Sequence, residues 1–120
     1  MQNVKFLVAL VLIPVLDAPW LYYQSAAAKG MLESVQGGRP LSMRLWPAVV
    51  VYVALAYLLL QQTSATGAFL AGAAVYAVYD FTNLSLLKDY TLNFAVADTL
   101  WGGILFAIAF WSLEKIRKSL

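Results

Sequence analysis

LNFAVADTLWGGILFAIAFWSL, residues 92–113, is an unbroken apolar run as long as a helix needs to be to cross a bilayer, and its one charge is Asp98. Apolar and polar residues do not alternate along it, so it reads as a helix rather than as a barrel strand. A carboxylate in hydrocarbon costs roughly 2.5–3.5 kcal/mol on insertion scales, so a chain that keeps one there has a use for it. The arrangement recurs twice. VLIPVLDAPWLYY, residues 11–23, holds Asp17, and AVYAVYDFTNL, residues 74–84, holds Asp80.

Composition points the same way. With 62% apolar residues, 12% charged residues and a mean hydropathy of +0.75, the chain lies outside the balance of soluble domains. Its 120 residues are read as a single domain with spans at about 4–23, 45–62, 65–86 and 92–113. The expected fold is all-α, an antiparallel integral-membrane bundle of four transmembrane helices. Neither Cys nor His occurs, which excludes disulfides, thiol nucleophiles, Cys/His zinc sites and any triad with an imidazole base. The net charge of +2 is small and its basic residues lie near span ends, as membrane anchors do, so nucleic acid is not an expected partner.

The connections differ in length. Gln62-Thr63-Ser64-Ala65 is a tight turn and Leu87-Lys88-Asp89-Tyr90 is nearly as short, whereas residues 24–44 form a longer link. Within that link, residues 26–36 contain enough helix formers for a short interfacial helix, which Gly37-Gly38-Arg39-Pro40 would end. A signal peptide is the rival reading of the first run, because Lys5 precedes it and Ser25-Ala26-Ala27 resembles a cleavage site. Asp17, Pro14 and Pro19 within the run argue against it.

Four antiparallel helices place both termini on one side and bring the three aspartates to one depth. Asp17 and Asp80 stand about six residues before the ends of their spans and Asp98 about six after the start of its own, each on the order of 9 Å below the face opposite the termini. Asp17-Ala18-Pro19-Trp20 and Asp98-Thr99-Leu100-Trp101 both project a carboxylate and an indole from one helix face. Gly72, Tyr76, Asp80 and Asn83 follow helical spacing and form an inward stripe, with Tyr79 and Thr82 beside it. The candidate site is therefore Asp17, Trp20, Tyr76, Tyr79, Asp80, Asn83, Asp98 and Trp101, with the three aspartates as candidate metal ligands.

Other features have structural readings. Pro14 and Pro19 cannot donate to the carbonyls of Leu10 and Val15, which either line a polar cavity or mark a kink. Small residues four apart in the third span, such as Gly67/Ala71 and Ala68/Gly72, permit close helix approach, and Gly102 and Gly103 serve the same end in the fourth. Tyr22, Tyr23, Trp46, Tyr90 and Trp111 lie near span ends and read as interfacial anchors. Tyr52 and Tyr57 have no carboxylate beside them, so the second span reads as support.

Asp-x-x-Trp in the first span, Tyr-Asp-x-Thr-Asn at residues 79–83 and Asp-x-x-Trp-Gly at residues 98–102 together resemble the pattern of a predicted membrane-protein family called domain of unknown function 2177. The resemblance covers essentially the whole chain. The three motifs in this order are specific, although each alone is weak. The resemblance implies a small four-span protein and supplies no activity.

Three level carboxylates in low dielectric cannot all stay ionised without a neutralising partner, either protons or a bound cation. The first expectation is thus cation or proton binding or transport, with Trp20 and Trp101 offering faces to an organic cation. A second is a structural accessory subunit of a larger membrane complex, or a homodimer, in which the polar cluster fixes helix register. A third is a carboxylate-dependent enzyme acting on a lipid-derived substrate, and the reading leans away from it. No cofactor is identified beyond that cation. The Lys and Arg count is four on each side, and the dense Lys115-Ile116-Arg117-Lys118 cluster favours both termini in the cytoplasm of a bacterial-type inner membrane.

Overall fold

Helix-forming apolar runs separated by short polar turns become helices in the computed structural model, which describes residues 2–35 and 45–119. Among these residues the elements are α1 (Gln2–Val35), α2 (Leu45–Leu60), α3 (Ala65–Leu86) and α4 (Leu92–Ser119), with no strand. The turns are capped locally. Ser64 is the N-cap of α3, its hydroxyl accepting from the Gly67 N–H at 3.0 Å, and Thr91 Oγ1 accepts from the Phe94 N–H at 3.2 Å at the start of α4.

α1 differs from expectation. It runs through both prolines and on to Val35, so the separate interfacial helix expected at residues 26–36 is instead the end of α1 as far as the described residues go. Between Tyr23 and Val35 no proline interrupts the run and most residues are good helix formers, so nothing stops the helix at the span boundary. The Gly37-Gly38-Arg39-Pro40 stop lies outside the described residues. Val15 and Pro19 are exposed, so the second proline break faces away from the interior.

Packing centres on α4, which touches the other three helices and meets α3 most closely. Gly72 faces the carbonyl of Gly102 and the side chain of Phe106, and the ring of Tyr76 lies on Gly102. A Cβ on Gly103 would stand 2.8 Å from the Phe69 ring. These glycines are what let the two backbones approach. Residue numbers fall on α4 as they rise on α3 and α1, so both pairs are antiparallel, and Lys5 comes within electrostatic reach of Glu114 at the end shared by the termini.

The buried core is small: Ala9 and Ile13 of α1, Leu55, Ala56 and Leu59 of α2, Ala68 of α3, and Leu105, Phe106, Ala109 and Leu113 of α4. Many large apolar side chains remain exposed along the helices, among them Leu7, Val11, Val50, Leu70, Val78 and Ile104. That much outward apolar surface suits lipid rather than water. Two segments are long and apolar enough to cross a membrane, Asn3–Gln24 and Leu92–Lys118, while the apolar helix Leu45–Leu60 is shorter. The polar residues of α3, including Tyr76, Tyr79, Asp80 and Asn83, lower its hydropathy.

Candidate functional site

The Asp-x-x-Trp repeats of α1 and α4 meet across the bundle and exchange partners. Trp20 donates its indole N–H to Asp98 Oδ1 at 2.9 Å, and Trp101 donates to Asp17 Oδ1 at 2.7 Å. The two rings stack with centroids 5.4 Å apart and planes 16° apart. In each motif the three-residue spacing puts acid and indole on one helix face, and the antiparallel crossing aligns each with its opposite in the other helix.

Asp17, only 4% exposed, also accepts from the Tyr52 hydroxyl of α2 through Oδ2 at 2.8 Å. Both of its oxygens are thus satisfied, and α1, α2 and α4 are tied at one carboxylate. Tyr52, read from sequence as part of a support helix, belongs to the network. Its position carried the signal, since it lies seven residues into α2 from the end at which the aspartates were counted.

Asp80 is fully buried and accepts from the Tyr90 hydroxyl through Oδ1 at 2.5 Å. Tyr90 stands in the link between α3 and α4, is 6% exposed, packs edge-on against Phe94 and lies close to Asn83. The expectation of an interfacial anchor at Tyr90 is therefore corrected: the short link folds its ring inward over Asp80. The Asp98 carboxyl lies within hydrogen-bonding reach of Asp80, yet Asp80 Oδ2 is buried without a donor. Two ionised acids cannot donate to each other, and a single proton held between them would supply the missing bond. Thr99 Oγ1, next to Asp98 in sequence, is also buried without a partner.

Tyr76 stands amid these groups, within electrostatic reach of Asp17, Asp98, Tyr52 and Asp80. Of the eight candidate residues, Asp17, Trp20, Asp98 and Trp101 are joined by hydrogen bonds, Asp80 lies beside Asp98, Tyr76 stands within electrostatic reach of the acids, and Asn83 lies near Tyr90. Tyr79 does not join them, being 59% exposed on the outer side of α3, where a helical turn of 100° per residue carries it away from Asp80.

The donors reaching the carboxylates are two indoles and two phenols, all neutral. Among the described residues no three acidic side chains come together as a metal-binding group. The stacked rings of Trp20 and Trp101 cover each other on one face, so only their outer faces are left for an organic cation. An open groove of about 440 Å³ lies elsewhere, along Ala77, Val78, Phe81, Thr82, Ser85 and Leu86 of α3.

No significant match exists among curated proteins or solved structures. Residues 3–113 match the family model described as predicted membrane protein (DUF2177), in keeping with the resemblance of the three motifs, and the chain belongs to that family.

Proposed function

We propose that this is a four-span membrane protein that binds a proton at the Asp80–Asp98 pair and can exchange it for a monovalent cation. The reading rests on the buried Asp80 Oδ2, which has no donor while a second acid stands beside it and every donor to the cluster is neutral. A divalent ion fits poorly, because among the described residues no three acidic side chains converge. α3 counts as a span because it runs antiparallel to α4 in close contact, and a helix so tightly packed on a membrane-crossing partner shares its slab. α2, at 16 residues about 24 Å long, completes the crossing with Gln61 and Gln62 at its end. Lys5, Lys115, Arg117 and Lys118 gather at the terminal end, which supports placing both termini in the cytoplasm and the acids toward the outer face.

A second reading, a structural subunit held in register by its polar network, is favoured by Asp17, whose two oxygens are both satisfied across three helices. Infrared spectroscopy of the protein in nanodiscs separates the two. Proton binding gives a protonated-carboxyl C=O band that responds to pH and to monovalent cations and vanishes in Asp80→Asn. A band that never titrates marks the structural reading, and no band at all overturns the shared proton.

A further inference from the structure

We infer that Thr99 joins Asp80 and Asp98 in a buried site for a small, hard monovalent cation, Na+, which takes the place of the shared proton. This rests on the proton-binding reading and adds to it the identity of the ion and a third ligand.

A shared proton leaves one buried atom unexplained. Held between the two carboxyl groups it satisfies Asp80 Oδ2, whereas Thr99 Oγ1 remains buried without a partner, and these two oxygens are not bonded to each other. Helical register brings them to one layer. On α4, Thr99 stands among Ala95, Gly102, Gly103 and Phe106, all buried, and the last three meet α3 directly. The Tyr76 ring lies on Gly102, and one turn on from Tyr76 and one turn back from Gly102 the antiparallel pair arrives at Asp80 and Asp98. Thr99 is therefore level with the acid pair and on the side of α4 turned to α3.

The oxygens left for a ligand follow from the bonds already made. Asp80 Oδ1 accepts from Tyr90 and Asp98 Oδ1 from Trp20, which leaves Asp80 Oδ2, the second oxygen of Asp98 and Thr99 Oγ1. All three can offer lone pairs to one cation, and carboxylate and hydroxyl oxygens suit a hard one. The other titratable groups around the pair are Asp17 from α1, Tyr52 from α2, Tyr76 from α3 and Tyr90 from the α3–α4 link, and none of them brings a positive charge. A water in the same place would leave the deprotonated pair unneutralised. Gly72 and Gly102 hold α3 and α4 nearly in backbone contact beside this layer, so the interface suits a small ion and not an organic ammonium. As Na+ enters, the shared proton leaves to water, and the pair carries the same net charge before and after.

The test measures equilibrium binding of radiolabelled Na+ to the protein in nanodiscs, alongside the protonated-carboxyl C=O band. Thr99→Val removes the hydroxyl at nearly constant shape, Thr99→Ala takes its place if the valine variant does not fold, and Thr99→Ser restores the ligand. Thr82→Val, exposed on α3, is the control. The expected result is saturable Na+ binding with which protons and Li+ compete, and K+ and choline at least roughly tenfold less well. Thr99→Val should weaken Na+ at least roughly tenfold and keep the band, while Thr99→Ser and Thr82→Val bind as the natural protein does. Equal competition by K+, or Na+ binding unchanged in the folded Thr99 variants, overturns the site. A band that titrates with no saturable Na+ binding also overturns it and leaves the shared proton intact, whereas absence of the band in sodium-free protein at every pH removes the shared proton and the exchange with it.

Discussion

Trp20 and Trp101 each donate to the aspartate that belongs to the other's motif, and their rings stack between those two bonds. The arrangement has local two-fold character: exchanging α1 for α4 maps Asp17 onto Asp98 and Trp20 onto Trp101. It joins the first helix to the last, which no short link does. The symmetry stops at the second oxygens, because Asp17 is completed by a phenol whereas Asp98 turns toward another acid. One motif thus makes a closed clamp, and its twin stands beside a second buried acid.

Crossed pairing makes a prediction that pairing within each helix does not. A double-mutant cycle between Asp17→Asn and Trp101→Phe should show a coupling of about 1–2 kcal/mol in unfolding from detergent or bilayer. The cycle between Asp17→Asn and Trp20→Phe, three residues apart on one helix, should show much less. Equal coupling in the two cycles would contradict the exchange.

The glycines sort by what surrounds them. Gly72→Ala drives a methyl group against the Gly102 carbonyl and within 2.7 Å of Phe106 Cβ, and backbone atoms cannot turn aside, so a loss of about 3 kcal/mol is expected. Gly102→Ala meets the Tyr76 ring and should lose a similar amount while also displacing a network residue. Gly30→Ala has nothing within 4 Å and lies in α1, so it should be neutral or gain up to about 1 kcal/mol from helix propensity. Thermal unfolding in a mild detergent ranks the three, and an order with Gly30 as the most sensitive would refute the packing.

Much of this site was legible because helices are periodic. Counting residues from span ends levelled Asp17, Asp80 and Asp98, and the spacing of four and three put Tyr76, Asp80 and Asn83 on one stripe. Tyr79 was included by adjacency to Asp80, and adjacency along a helix means a turn of 100°, hence its exposure. Tyr52 was legible and overlooked, since the same depth count applied to α2 reaches it and passes over Tyr57. Tyr90 was not legible. It sits in a link, where no period fixes the direction of a side chain, and its position near a span end fitted an anchor equally well. The far end of α1 was misjudged because hydropathy limits a span but does not end a helix, and the good helix formers after Tyr23 carry it on to Val35.

The contrast between the tyrosines of α2 is itself testable. Tyr52→Phe leaves Asp17 Oδ2 buried without its donor, and a loss of about 1–2 kcal/mol is expected. Tyr57→Phe, at an exposed position on the same helix, should change unfolding by less than about 0.5 kcal/mol. If the two variants unfold alike, α2 is held by its apolar residues alone and the bond to Asp17 contributes nothing measurable.

Proton sharing also sets the sign of a pH effect. A folded state that holds a proton between Asp80 and Asp98 binds more protons than the unfolded chain does above the ordinary carboxylate range. Stability must then fall as pH rises, until the pair has lost its proton and the curve levels. In Asp80→Asn an uncharged side chain of the same shape stands where the protonated acid stood. The amide keeps an acceptor for Tyr90 and supplies a donor toward Asp98, so the variant should unfold close to the natural protein at neutral pH and lack the alkaline decline. Asp17→Asn should keep the decline, because Asp17 is satisfied by Trp101 and Tyr52 and takes no part in the pair. Unfolding midpoints of the three proteins, measured from mildly acidic to alkaline pH, decide it: a decline of equal steepness in Asp80→Asn would mean that the titrating group lies elsewhere in the chain.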